Sequence, residues 1–191
     1  MRTVSKLVLA AMLLRSMIMA TDDVWAAPAL TLAVQASKAE YAAGEMPAFT
    51  MTLSLATSAP AAVAVSPIPV GNIHVLRVTR DGVRLRPVHR GVLFYEDPSV
   101  FQEAALRDLL PGESVSVPYH VFLAEDGVSP ALDDVHTPTR ITRGHRLFHY
   151  TLERPGAFDV QFAYDYAGPD GGRSNVFRAR VPSNVVTFTL R

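Results

Sequence analysis

The sequence predicts an all-β protein built as an antiparallel sandwich, and three observations carry that prediction. Apolar and polar residues alternate with period two in many short runs, Gly, Pro, Asn and Asp cluster between those runs, and no stretch sustains a long helical period. The length of 191 residues suits a single domain, because a chain of about 150 residues already buries roughly 68–70% of its unfolded surface.

The N-terminus reads as a targeting segment that stands outside the fold. Arg2 and Lys6 form a basic start, Leu7 to Leu14 an apolar run, and Val24-Trp25-Ala26 places small residues where a signal peptidase needs them, so cleavage is expected after Ala26. Arg15 interrupts the run and Asp22 and Asp23 follow it. The segment thus falls short of the ~20 apolar residues of a membrane-spanning helix. The expectation is an exported protein, periplasmic or secreted, with residues 1–26 removed, one domain at 27–191 and no membrane span in the mature chain. There is no cysteine, so stability rests on packing although an exported compartment permits disulfides. Lys+Arg and Asp+Glu both number 18, which leaves no net field directed at nucleic acid or an anionic membrane.

The strands are justified in chain order. Leu30 to Ala36 alternates apolar with small or polar residues, and Phe49 to Leu55 does so strictly after the turn at Tyr41-Ala42-Ala43-Gly44-Glu45. Ala61 to Ser66 is a weaker, alanine-rich candidate ended by Pro67-Ile68-Pro69. Ile73 to Thr79 runs into Asp81-Gly82, a hairpin signal, with Val83 to Leu85 as the returning arm. Gly91 to Tyr95 is a short apolar run. A short helical turn is expected near 99–109, from Val100, Ala104, Leu106, Leu109 and Leu110, and it stops before Pro111-Gly112. Ser114 to Phe122 contains Pro118 and reads as an edge or bulged strand. Residues 124–143 are polar, carry Gly127, Pro130 and Pro138, and predict a long loop. Strand character returns at Arg146 to Leu152, Ala157 to Tyr166, Asn175 to Val181 and Asn184 to Leu190, with Gly168-Pro169-Asp170-Gly171-Gly172 as a hairpin tip. About 8–10 short strands of this kind predict an immunoglobulin-like sandwich, with a closed barrel as the competing architecture. On the strand from Ala157, residues Phe158, Val160, Phe162, Tyr164 and Tyr166 share one face and are expected in the core, Tyr166 emerging at the rim.

The frame Pro155-Gly156-Ala157-Phe158-Asp159-Val160, followed by Ser183-Asn184-Val185-Val186-Thr187-Phe188, resembles the closing strands of bacterial immunoglobulin-like domains. Phe158 stands where such domains carry the corner tyrosine, so only the packing role carries over. Val78 to Gly82, Gly91-Val92-Leu93 and Leu109-Leu110-Pro111-Gly112-Glu113-Ser114-Val115 are similar to the β-sandwich prodomain that precedes the catalytic domain of deuterolysin-like zinc metalloproteases. The Leu-x-Pro-Gly-Glu-Ser step is also shared, more weakly, with BsuPI-type proteinase inhibitor domains. Neither resemblance brings an enzyme, since no H-E-x-x-H occurs.

The remaining chemistry is sparse. His145 and His149 stand at i and i+4, and with His120 and His136 they form a candidate zinc or copper site, imidazole being the commonest nitrogen ligand for both metals. Neither a cysteine nor a well-spaced carboxylate completes the set. Glu125-Asp126 and Asp133-Asp134 lack the D-x-D-x-D-G spacing of a calcium loop, and no G-x-S-x-G occurs. The clearest charge asymmetry is Arg77, Arg80, Arg84 and Arg86, a candidate partner-binding patch to which Tyr166 at the expected rim is added. No aromatics interleave it as nucleic-acid binding requires. The expectation is a non-enzymatic binding module acting on a protein partner without a cofactor. The resemblance implies a secreted protease, inhibited or assisted in folding, with 124–143 as the contacting loop. The alternative is a periplasmic metal- or small-ligand-binding protein using the histidines. A third reading, strand exchange at an open edge, is disfavoured where Pro118 blunts that edge.

Overall fold

The computed structural model describes residues 30–65, 72–94, 106–119, 121–124, 129–138, 144–166 and 170–191. Fourteen strands make it up: β1 (Leu30–Ala36), β2 (Glu40–Tyr41), β3 (Phe49–Leu55), β4 (Ala61–Ala64), β5 (Ile73–Arg80), β6 (Val83–Arg84), β7 (Val88–Phe94), β8 (Leu106–Leu109), β9 (Ser114–Tyr119), β10 (Phe122–Leu123), β11 (Pro130–Pro138), β12 (Gly144–Thr151), β13 (Gly156–Tyr164) and β14 (Val181–Leu190). No helix among the described residues is long and apolar enough to cross a membrane.

The main sheet has the order β6-β5-β13-β14-β1-β3-β9, with β2 alongside β14. It cannot lie flat. Three strand spacings separate β3 from β13, about 14 Å, yet the rings of Phe49 and Phe162 are 5.5 Å apart. Tyr119 on β9 is four spacings from β13 and its ring lies 5.0 Å from the same Phe162. The sheet is therefore folded over into two layers, β5-β13-β14 facing β1-β3-β9, which is the immunoglobulin-like sandwich arrangement. Phe49 also meets Phe188 at 5.6 Å, and Phe158 stacks on Phe188 at 5.5 Å. These edge and stacked ring pairs add to the stabilisation that burial alone provides.

The alternation read from sequence is the alternation of burial. Along β1 and β3 the residues Leu30, Leu32, Val34, Phe49, Met51, Leu53 and Leu55 point inward, and Phe158, Val160, Phe162 and Tyr164 of β13 are all fully buried. The layers are joined at β14, which pairs antiparallel with β13 and parallel with β1. The parallel contact is a single rung, Leu32 with Ser183, and side chains extend it. Asn184 Oδ1 accepts from the Val34 N–H at 2.8 Å, and Asn184 Nδ2 donates to the Val34 carbonyl at 2.9 Å. The amide side chain thus acts as a surrogate peptide. On the other side of β14, the Phe162 N–H donates to Ser183 Oγ at 3.0 Å, across the register shift between Gln161 and Ala163.

Gly156 is fixed by its neighbour. The tip of the β5–β6 hairpin, Asp81-Gly82 with φ of 50° and 78°, is the two-residue turn that suits right-twisted strands. Asp81 exchanges hydrogen bonds with Ala157, its N–H donating to the Ala157 carbonyl at 2.7 Å and its Oδ1 accepting from the Ala157 N–H at 2.9 Å. Gly156 has φ of 150°, and a Cβ there would meet Asp81 Oδ2 at 2.7 Å and Arg80 Cγ at 2.9 Å. The Pro-Gly step therefore accommodates a packed hairpin.

Two smaller sheets complete the structure. β10-β11-β12-β7 forms a four-stranded arm and β4-β8 a pair; β11 lies against β5, and Leu132 and Tyr150 belong to the same core as the sandwich. Tyr164 ties in the β4 side: its hydroxyl accepts from the Ala64 N–H at 3.1 Å, and burial pushes its pKa up to about 12.

Four expectations are corrected. Leu106–Leu109 is strand rather than part of a helical turn; the rest of that turn lies outside the described residues. Leu106 and Leu109 are both buried with exposed Arg107 and Asp108 between them, so an i, i+3 spacing imitated a helix. Of the expected loop 124–143, Pro130–Pro138 is strand, held by β10 and β12 on either side. Of Asn175 to Val181, only Val176 makes a bridge, parallel to Ala62, and β14 starts at Val181. Tyr166 does not emerge: it is 3% exposed and in the core, with the Arg178 guanidinium 5.6 Å from its ring centre.

Asn184→Ala should cost about 1–3 kcal/mol in chemical denaturation, because Val34 loses partners for both its N–H and its carbonyl. Gly156→Ala should cost a similar amount, about 1–3 kcal/mol, through backbone strain. A Tm within a degree of wild type for either would contradict this placement.

Candidate functional site

The four arginines separate on the pleat. Around the register shift on β5, Arg77 pairs with Gln161, Val78 with Val160, Thr79 with Asp159 and Arg80 with Phe158. Val78 is fully buried, so Arg77 and Thr79 face outward while Arg80 points with Val78 toward the inner side. Arg80 is half-buried there, beside Asp81 at 3.9 Å. Across the hairpin, Arg84 pairs with Thr79 and joins the outward face. The Leu85 N–H donates to the Val78 carbonyl at 2.9 Å, and Arg86 follows just beyond the end of β6. Arg77, Arg84 and Arg86 are all exposed.

These three make one cationic patch. Like charges directly across a strand pair oppose folding, and among the described residues no carboxylate forms an ion pair with Arg77, Arg84 or Arg86. Asp159 is on the same face but is held by hydroxyls, Thr187 donating at 2.7 Å and Thr79 at 3.3 Å. Val83 at the hairpin tip, opposite Arg80, is 68% exposed and lies on the other face of the hairpin from these guanidinium groups. Tyr166, buried in the core, contributes packing.

The register places three of the histidines on the four-stranded arm. His136 is at the register shift of β11 and His145 pairs with Pro138; His149 pairs with Asp133 and is buried. His120 lies outside the described residues. On a strand, four residues span about 13 Å, so the i, i+4 spacing that would unite two imidazoles on a helix separates His145 from His149. No group of three or more His, Asp or Glu residues gathers as a metal site among the described residues.

Two features escaped the sequence. A shallow groove of about 370 Å³ opens on the outer side of β1 and β3, lined by Ala33, Gln35, Thr50, Thr52 and Asn184, and no charged side chain lines it. His74 of β5, 9% exposed, is a buried titratable group. Burial holds its pKa below the usual 6.5, the Arg180 charge acts in the same direction, and Asp165 opposes them. Its alternation within Ile73-His74-Val75 is masked because all three are buried.

Comparison with known proteins places no family on the chain: no protein-family model matches it, and no curated protein matches it.

The sign of the His74 effect follows from linkage. The unfolded chain binds a proton near pH 6.5 while the folded chain resists it, so the stability due to neutral His74 is present above that pH. It is lost as pH falls toward the lower folded value. Denaturation at about pH 7 and about pH 5 should show a smaller pH-dependent loss in His74→Gln than in wild type. Equal losses would show that His74 is not held neutral by the fold.

Proposed function

We propose that the protein is an exported, non-enzymatic immunoglobulin-like module that works by binding another protein. The observation that carries this reading is the outward face of β5 and the β6 hairpin, where Arg77, Arg84 and Arg86 are exposed and form no ion pair among the described residues. Arginine is enriched at protein interfaces, and a guanidinium cluster that lowers folding stability by self-repulsion gains when an acidic partner covers it. The N-terminal segment supports export, and Val78 to Gly82, Gly91 to Leu93 and Leu109 to Val115 support the likeness to protease prodomains. A secreted protease is accordingly the partner we favour, with this module as inhibitor or folding assistant.

The contact surface differs from the one the sequence suggested. Pro130–Pro138 is strand, paired with β12 along its length and with β10 at Pro130 and Ala131, so it is no extended loop there, and we favour the basic face as the contact surface. The histidine-metal alternative is weakened by the strand spacing of His145 and His149.

The test is quantitative capture from culture supernatant and periplasmic extract by the purified mature chain and by Arg77→Glu/Arg84→Glu/Arg86→Glu. A secreted protease enriched by wild type and lost about tenfold or more with the variant, as expected when close charge pairs are reversed, would support the reading. No protease enriched, or equal enrichment by both chains, would contradict it.

A further inference from the structure

We propose that the free edge of β6 takes up an extended segment of the partner as an added strand, with carboxylates at alternate positions seated on Arg84 and Arg86. The inference rests on the protein-interaction reading and names the partner's chemistry at that surface.

The backbone supplies the first half of the argument. β6 ends the main sheet, hydrogen-bonded only to β5 among the described strands. In an antiparallel ladder, successive residues direct their N–H and carbonyl alternately toward and away from the neighbour. The Leu85 N–H reaches the Val78 carbonyl at 2.9 Å, so Leu85 faces β5. Arg84, one residue earlier and opposite Thr79, directs its N–H and carbonyl away from the sheet, and Arg86 lies two residues on, just past the end of β6. Exposed main-chain groups of this kind are a template for strand addition. At the opposite end of the sheet, β9 carries Pro118, paired with Thr50, and a proline has no N–H to offer.

Side chains supply the second half. Residues that pair across neighbouring strands project to the same face. The partner residues opposite Arg84 and Arg86 therefore point outward, onto the guanidinium groups, and lie about 6.8 Å apart, two residues along a strand. Carboxylates at those positions would form charge-assisted bonds, and Arg77, behind Arg84 and Arg86 on β5, adds to the field. Residues between them would turn to the other face, next to Leu85 and the exposed Val83, where aliphatic side chains fit. The sequence so recognised alternates acid and β-branched residues.

The probe is an acetylated peptide with Glu-Val-Glu-Val-Glu at its centre, titrated into the full mature chain at low salt. One control has the same residues reordered as Glu-Glu-Glu-Val-Val, and another is the alternating peptide N-methylated along its backbone. The alternating peptide should bind about tenfold or more tighter than either control, and it should slow hydrogen exchange at the Arg84 and Arg86 amides. Arg84→Glu/Arg86→Glu, exposed changes whose folding a thermal melt checks, should lose that peptide and gain one with Lys-Val-Lys-Val-Lys at its centre. Equal binding of all three acidic peptides would overturn strand addition; if capture of the protease still depends on the same arginines, the broader reading survives. No binding by any peptide would also overturn it and identify the arginines as guards that keep the edge unpaired.

Discussion

Asn184 holds the two layers of the molecule in one continuous sheet. β14 has its ladder with β13 on one side, but toward β1 it offers a single parallel rung, too little to align a ten-residue strand with a seven-residue one. The amide of Asn184 supplies what the backbone does not, accepting from and donating to Val34 as a peptide would. Next to it, Ser183 takes the Phe162 N–H that the register shift would otherwise leave without a partner. A buried N–H without an acceptor is costly, so two adjacent polar residues allow β14 to change neighbours within the core. Everything inward follows: with β1, β3 and β9 aligned on one side and β13 and β5 on the other, Phe49, Phe162, Phe188 and Tyr119 meet as a ring cluster.

The same constraint positions the exposed chemistry. β13, fixed by β14, fixes β5 through a full antiparallel ladder, and β5 carries the β6 hairpin, clamped again where Asp81 bonds Ala157 over Gly156. The extra residue Leu76 in β5, at the register shift opposite Gln161 and Phe162, turns Arg77 outward while keeping Val75 and Val78 inside. A basic face on a rigid hairpin is better preorganised than one on a loop. Its cost is mutual repulsion among arginines.

Much of the fold was legible because burial on one face leaves a period of two. Leu30–Ala36, Phe49–Leu55 and the inward row from Phe158 to Tyr164 show it plainly. Legibility ended where context replaced pattern. Pro130–Pro138 lacks alternation, carries Asp133 and Asp134, and is strand because β10 and β12 flank it, in keeping with β-propensity being set largely by surroundings. Leu106 and Leu109 imitated a helical face. Tyr166 follows the end of β13 and was expected in the open, but the fold covers it. For the candidate site, the arginines were visible as a run, whereas their division between two faces depended on a register shift that no local pattern announces.

Native-state hydrogen exchange at the Val34 and Phe162 amides tests the central claim, that side chains of Ser183 and Asn184 complete the backbone ladder where the two layers join. Both amides should exchange only with global unfolding, at the same free energy as the Val160 amide in the middle of β13. Exchange of either amide at a much lower free energy, independent of denaturant, would mean that the joint opens locally and that the layers are held together by something other than these two residues.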